Sequence, residues 1–416
     1  MTRDTASVFS VAGGFQVAVE PIAGATTTAV VWQVPVGTAG DPLDGGGCGE
    51  SAVLAEMISR GAGNLSSREF SDSMDRLGVQ RSTSSATYSI TLSAVCLAES
   101  LDGLLELLSQ VVLRPRLEQE ALDASRELAL QSLRSLQDDP QHFASIKIGE
   151  IALPAPFNRH GFGTEAGLAA LTIESLRATW QRRCRPGGSM VGIAGAVDAD
   201  HVRGVLEKLL ATWSGTSLEP IESAAAVRGT LHEHQASAQS HICIAFPAPK
   251  QADPESLAHR LMVRVFGGGG MSNRLFGEVR EKRALCYSVG ANYVCGRDRG
   301  LLSIYAGSTP ERAAETLACI RAELLKMADG ISVEEFDRAI IGLKSGIVMG
   351  GESTSARASA LVGDLFRIGR VRSLAEVVAE VEALTLAQVN NHAARVMTPS
   401  HLDAASLVVV GPSPLL

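Results

Sequence analysis

The order of elements in the first half of this 416-residue chain is repeated in the second half. Gly45-Gly-Gly-Cys-Gly49 and a helical pattern are matched by Gly267-Gly-Gly-Gly270 and another helical pattern. Tyr88-Ser-Ile-Thr-Leu-Ser-Ala94 and a long helix are matched by Leu301-Leu-Ser-Ile-Tyr-Ala306 and a long helix. Two copies about 210 residues apart are too few for a solenoid, so the repeat reads as a duplicated domain.

Within the first copy, β-branched runs at Phe15–Val19 and Thr27–Val36 predict strands. The helical period marks Glu50–Arg60 and Ser67–Leu77, the second capped by Ser66 or Ser67 with Glu69 in its first turn. Alternation over Val79–Ala94 predicts a half-buried hairpin, followed by helices at Glu99–Leu113 and Leu117–Gln137. A helix at Ile173–Arg183 precedes the apolar strand Ser189–Val197, and Asp198 caps a helix that extends to about Trp213. The Ser-, Gly- and Ala-rich stretch Ser214–Gly229 reads as a linker. In the second copy, Ser240–Phe246 is a strand, Asp253–Phe266 and Ser272–Arg280 are helices, and Leu285–Val294 with Leu301–Ala306 forms a hairpin. Helices at Pro310–Met327 and Val333–Met349 complete the correspondence. The fold class is α+β, with domains at 1–215 and 231–416 joined by a linker at 216–230.

Composition removes several function classes. The net charge of -8, with no basic run longer than Arg182-Arg183 and 4% aromatic residues, offers nothing to track phosphates. No apolar stretch approaches the roughly 20 residues of a membrane span. Met1–Ser10 contains no apolar segment of a secretory signal, so a cytoplasmic address is the default. Seven cysteines without CxxC spacing read as small buried residues; Cys48, in the turn before a helix, is the one candidate for a reactive thiol. Gly267–Gly270 lacks the Lys and Ser/Thr of a phosphate loop, and Ser51 lacks the second Gly of a nucleophile elbow. No two of the nine histidines stand three or four apart. His232 and His234, on one face of an extended segment, read as surface histidines rather than ligands.

The second half carries a more specific signal. Phe266-Gly-Gly-Gly-Gly-Met-Ser-Asn-Arg-Leu-Phe-Gly-Glu-Val-Arg280, continued by Glu-Lys-Arg-Ala-Leu-Cys-Tyr287-Ser-Val289, resembles the signature of the C-terminal domain of the peptidase M16 family of pitrilysin, insulinase and mitochondrial processing peptidase. Arg185-Pro-Gly-Gly-Ser-Met-Val-Gly-Ile-Ala-Gly-Ala-Val-Asp198 and Phe162-Gly-Thr-Glu-Ala-Gly-Leu168 are similar to further parts of that family, so the resemblance covers essentially the whole chain, as a half-size chain of M16B type. It implies two tandem homologous M16-type α/β domains, each a mostly antiparallel sheet packed with helices, forming half of a clam-shell chamber.

The family's N-terminal domain carries an inverted zinc motif, HxxEH on a helix, with a third ligand, a Glu, downstream. Histidines four apart share a helical face, and the Glu between them adjoins the metal-bound water as general base. Here the corresponding helix reads Gly49-Glu-Ser-Ala52-Val-Leu-Ala55-Glu56-Met57. The histidine positions are Ala52 and Glu56, the base position is Ala55, and the downstream ligand falls at or beside Ser132, with Glu127 the nearest carboxylate. The resemblance therefore implies a degenerate site: no metal or other cofactor on this chain, zinc only in a partner, and no peptidase activity alone. A hard-cation site built on Glu56 and Glu127 finds no support in their spacing.

The family's C-terminal domain contributes an Arg and a Tyr that grip the substrate backbone, and the matching positions are Arg280 and Tyr287. The implied function is a non-catalytic, substrate-binding subunit of a heterodimeric zinc metallopeptidase. Its partners would be a zinc-bearing M16 subunit and a peptide or unfolded polypeptide, captured in the family along an exposed strand edge of the N-terminal domain. The alternative is a structural or chaperone-like subunit of the same fold with no role in proteolysis.

Overall fold

The computed structural model describes residues 6–42, 48–217 and 220–415. Gly45–Gly47 of the first glycine-rich turn lie outside the described residues. In chain order the strands are β1 (Ser7–Val11), β2 (Phe15–Pro21), β3 (Thr27–Val34), β4 (Gln80–Ser85), β5 (Ile90–Leu97), β6 (Met190–Gly195), β7 (Thr230–His234), β8 (Ser240–Ala248), β9 (Cys286–Cys295), β10 (Gly300–Ser308) and β11 (Ser406–Gly411). The helices up to the middle of the chain are α1 (Glu50–Met57), α2 (Ser67–Arg76), α3 (Leu101–Leu113), α4 (Gln119–Ser135), α5 (Pro140–Ala152), α6 (Glu165–Ala170), α7 (Ile173–Arg183) and α8 (Ala199–Leu209). They are followed by α9 (Ser256–Phe266), α10 (Ala313–Lys326), α11 (Val333–Gly351), α12 (Thr354–Ile368), α13 (Leu374–Glu382), α14 (Leu386–Val396) and α15 (Pro399–Asp403).

Local chemistry accounts for many of these boundaries. Ser66 and Glu69 form a reciprocal capping box at α2, and the Asp198 carboxylate accepts from His201 N at 2.8 Å to start α8. Segment 272–280, predicted as one helix, instead reaches a π-helical turn at Phe276–Glu281. Asn273 Oδ1 accepts from Phe276 N there at 2.8 Å.

The elements gather into two compact units. The first comprises Met1–Ser135, Arg159–Ser223 and Met349–Ser373; the second comprises Leu136–Asn158, Ala224–Val348 and Leu374–Leu416. The first unit holds a six-stranded sheet in the order β1-β2-β6-β3-β5-β4, the second a five-stranded sheet in the order β7-β11-β8-β10-β9. In each, one parallel pair (β2 with β6, β7 with β11) adjoins antiparallel pairings, so β2, β6, β3, β5 and β4 find counterparts in β7, β11, β8, β10 and β9. The duplication legible in the sequence is thus a duplication of sheet topology, to which the first unit adds β1.

Each sheet carries a core on both faces, although β4 at the rim of the first is largely exposed. In the first unit Val30, Trp32, Val34 and Leu92 face the core built with α1, α2 and α3. Ala18, Ala29, Val31 and Ala194 face Ala358, Leu361, Val362 and Leu365 of α12. In the second, Ile242, Ile244 and Phe246 face α9 and α10, while Cys243, Ala245, Val408 and Val410 pack against Ala144, Ile148 and Ala152 of α5. Burying a Leu or Val contributes about 1.5–3 kcal/mol, so neither covering helix is incidental.

The units differ from the contiguous domains 1–215 and 231–416. One chain crossing, Ser223 to Ala224, falls in the predicted linker, but α5 is built into the second unit and α12 into the first. The physical reason is that an apolar helix stripe records that it needs a sheet, not which of two similar sheets it covers. Among the described residues no helix is long and apolar enough to cross a membrane.

Candidate functional site

Helix α1 is anchored by buried acid groups. Asp41 Oδ2 accepts from the backbone amides of Gly49 (3.2 Å) and Ser51 (3.4 Å), and its other oxygen accepts from the Ser51 hydroxyl. Arg183 lies 3.5 Å from this carboxylate and donates to Gly37 O at 2.8 Å. Glu50 accepts from the Thr179 hydroxyl at 2.7 Å. Burial raises the pKa of both Asp41 and Glu50, against the hydrogen bonds that lower them. Ser51 is therefore a buried helix anchor. The Cys48 thiol is pushed up by burial, the opposite of the shift that a reactive thiol needs.

One turn further on stand the residues that the resemblance sets against the family's zinc motif. Ala55 is buried and offers a methyl group, as does half-buried Ala52. Glu56 is committed to Arg60, which donates from Nη2 at 2.7 Å and Nε at 3.1 Å. On α4, which packs against α1, the exposed Ser132 hydroxyl bonds back to Leu128 O at 2.9 Å. Glu127 lies exposed, 4.0 Å from Arg134. Two methyl groups, a carboxylate already in an ion pair and a hydroxyl turned onto its own helix do not make a zinc ligand set, which requires imidazole, thiolate or free carboxylate donors converging on one point. Among the described residues, no group of three or more His, Cys, Asp or Glu is arranged to hold a metal ion. His232 is tied to its own sheet, its Nε2 donating to Gly411 O at 3.0 Å.

The second pair of sequence-predicted residues is brought together. Arg280 lies in the π-helical turn, and Tyr287 is the second residue of β9, an edge strand of its sheet. The Arg280 guanidinium lies 4.8 Å from the Phe276 ring and 5.0 Å from the Tyr287 ring, a cation between two aromatic faces. Tyr287 is 78% exposed. The turn that carries Arg280 is held from three sides. Arg274 forms a bidentate pair with Glu335 at 2.7 Å and donates to Gly330 O at 2.9 Å. Glu278 is bound by Lys282 and Arg283, which hold its carboxyl at about 2. Ala284 N closes the turn onto Arg280 O at 3.0 Å. Phe276 was not singled out from the sequence, although its spacing of four from Arg280 was available as a signal.

A strand edge is also present in the first unit. Among the described residues β4 pairs only with β5, and its residues Gln80, Arg81, Ser82 and Ser84 are exposed.

This architecture defines a class, a tandem pair of α/β units with equivalent sheets, and comparison with known proteins identifies it. The chain has the fold of the M16/insulinase peptidases, including the inactive domain of that family. Residues 16–162 match the family described as insulinase (peptidase family M16), and residues 170–343 match the peptidase M16 inactive domain. An uncharacterized zinc protease of Mycobacterium leprae is 26% identical over 394 residues, covering 91% of this chain and 86% of that one. The crystal structure of a peptidase M16 inactive domain from Pseudomonas fluorescens superposes with a TM-score of 0.88 at 19% identity, covering 99% of this chain and 98% of that one. A protease from Helicobacter pylori superposes with a TM-score of 0.87 at 18% identity, covering 99% and 100%.

Proposed function

We propose that this chain is the non-catalytic, substrate-holding subunit of a two-chain zinc peptidase of the M16 family, completing the peptide site of a zinc-bearing partner. One contrast carries the reading. The positions that hold and use zinc in the family are Ala52, Ala55, Glu56 and Ser132, while Arg280 and Tyr287 stand together beside Phe276. Without a Glu at position 55 no side chain there takes the proton from a nucleophilic water. A guanidinium fork and a phenol are suited to a peptide carbonyl and to the charge that develops on it during attack. The open edge of β4 supports the same reading, because an extended peptide adds to such an edge through its main chain and so with tolerance of sequence.

The test is reconstitution. The purified chain is combined with each zinc-motif homologue encoded in the same genome, and cleavage of a quenched fluorogenic peptide is followed. Cleavage is expected only in a mixture, with zinc bound to the partner. Arg280→Ala should leave co-purification intact and lower the rate by about 10²-fold or more, the usual effect of losing a donor to a developing oxyanion. Cleavage by this chain alone, with stoichiometric zinc, would refute the proposal. Stable association that never yields cleavage would instead support a structural or chaperone-like subunit.

A further inference from the structure

The sheet face covered by α12 in the first unit is covered incompletely, and the uncovered part borders the free edge. α12 packs over β6, β3 and β2 and only touches β5. Beyond it a groove of about 310 Å³ opens between the helix and β4. The register of the strands fixes which residues face it: Gln80 pairs with Val95, Ser82 with Ser93, and Ser93 in turn with Val31. These residues share one face of the sheet, the face of the α12 core, since opposed residues in a pleated pair point the same way. Ser355 and Ser359, one turn apart on α12, form the other wall.

The groove has a definite chemistry. It offers four hydroxyls, from Ser82, Ser93, Ser355 and Ser359, and the Gln80 amide, above an aliphatic floor. Among the described residues that line it, only Arg81 is charged. The Arg81 guanidinium is occupied on the opposite face of the sheet, where it donates to Ser71 Oγ at 3.0 Å and lies 5.1 Å from the Phe70 ring.

From this arrangement we infer that the groove is a side-chain subsite selecting neutral hydroxyl or amide side chains at alternate positions of an extended peptide paired to β4. The inference rests on the peptide-holding reading above and adds a substrate class to it. A strand added to β4 continues the pleat, so every second side chain falls on the face of Ser82 and the groove. A Thr or Asn there exchanges hydrogen bonds with the serine hydroxyls. A Lys or Glu loses part of its hydration without meeting a counter-ion, and a Phe leaves the hydroxyls unpaired.

The experiment uses the full chain and fluorescein-labelled decapeptides that alternate Val with Thr, Asn, Lys, Glu or Phe, titrated by fluorescence anisotropy. The Thr and Asn peptides should bind about three- to tenfold more tightly than the Lys, Glu and Phe peptides. Ser359 is exposed, so Ser359→Glu should be compatible with folding, to be checked independently by circular dichroism. That variant should gain about two- to fivefold for the Lys peptide and lose affinity for the Glu peptide. Equal binding of all five peptides, unchanged in the variant, overturns the subsite and leaves peptide holding intact. Binding of none overturns the subsite, and peptide holding then stands or falls with the reconstitution above.

Discussion

Among single residues, the buried histidine pair of the second unit has the clearest pH consequence. His259 Nδ1 and His392 Nε2 lie 2.9 Å apart, the His259 ring stands edge-on to Tyr293 at 4.6 Å, and His259 Nε2 is buried without a hydrogen-bond partner. Burial, followed by His392, His401 and Arg260, pushes the His259 pKa down to about 3; His392 is also lowered by burial, against the pull of Glu255 at 3.5 Å. The folded state therefore holds His259 neutral, whereas the unfolded chain titrates near 6.5. Its contribution to stability is complete above about pH 6.5 and is lost as pH falls from there toward 3, at up to about 1.4 kcal/mol per pH unit. Urea denaturation between pH 7 and 4 should show this slope, and His259→Gln should flatten it; an unchanged slope would assign the acid sensitivity elsewhere. The contrast with Ala52, Ala55 and Glu56 shows what is legible in a sequence. Ala52 and Ala55 lack a donor whatever surrounds them, and the Glu56–Arg60 pair is a local i,i+4 contact. The two histidines meet across 133 positions of sequence, which no local pattern encodes.

At the scale of elements, α12 depends on two partners that lie outside its own sequence. Gly192 of β6 leaves room for the helix: a Cβ there would stand 2.4 Å from Ala358 O and 3.0 Å from Leu361 Cβ. The Arg357 guanidinium is bound to Glu20 of β2 at 2.7, 3.0 and 3.2 Å, with both side chains buried. Gly192→Ala should force the helix outward and cost about 1–3 kcal/mol, as overpacking does. Arg357→Ala leaves the Glu20 carboxylate buried without its cation and should cost about 3–5 kcal/mol. Chemical denaturation of the two variants checks both values, and wild-type stability in Gly192→Ala would mean that α12 docks less tightly than the contacts indicate. The helices with capping signals, such as α2 and α8, were legible because caps lie within the element, whereas the seats of α5 and α12 are set by strands far away in sequence.

For the whole molecule, the consequence is that neither sequence half is a complete folding unit. Residues 1–223 carry α5, which covers the sheet of the second unit, and residues 224–416 carry α12, which covers the sheet of the first. Expressed separately, each half should expose an apolar sheet face and aggregate; co-expressed, the halves should co-purify as a non-covalent complex with the circular dichroism of the intact chain. Two soluble, monomeric halves would contradict this assignment of helices.

By itself the sequence determined the duplication, most of the strands and helices, the family resemblance and the absence of donors at Ala52 and Ala55, because periodicity, caps and side-chain chemistry are local properties. Only the tertiary structure decided which sheet each covering helix occupies, that Phe276 joins Arg280 and Tyr287, and that a hydroxyl-lined groove follows the free edge of β4. Those are relations between segments far apart in the chain, and they are fixed by packing complementarity rather than by any residue's own preference.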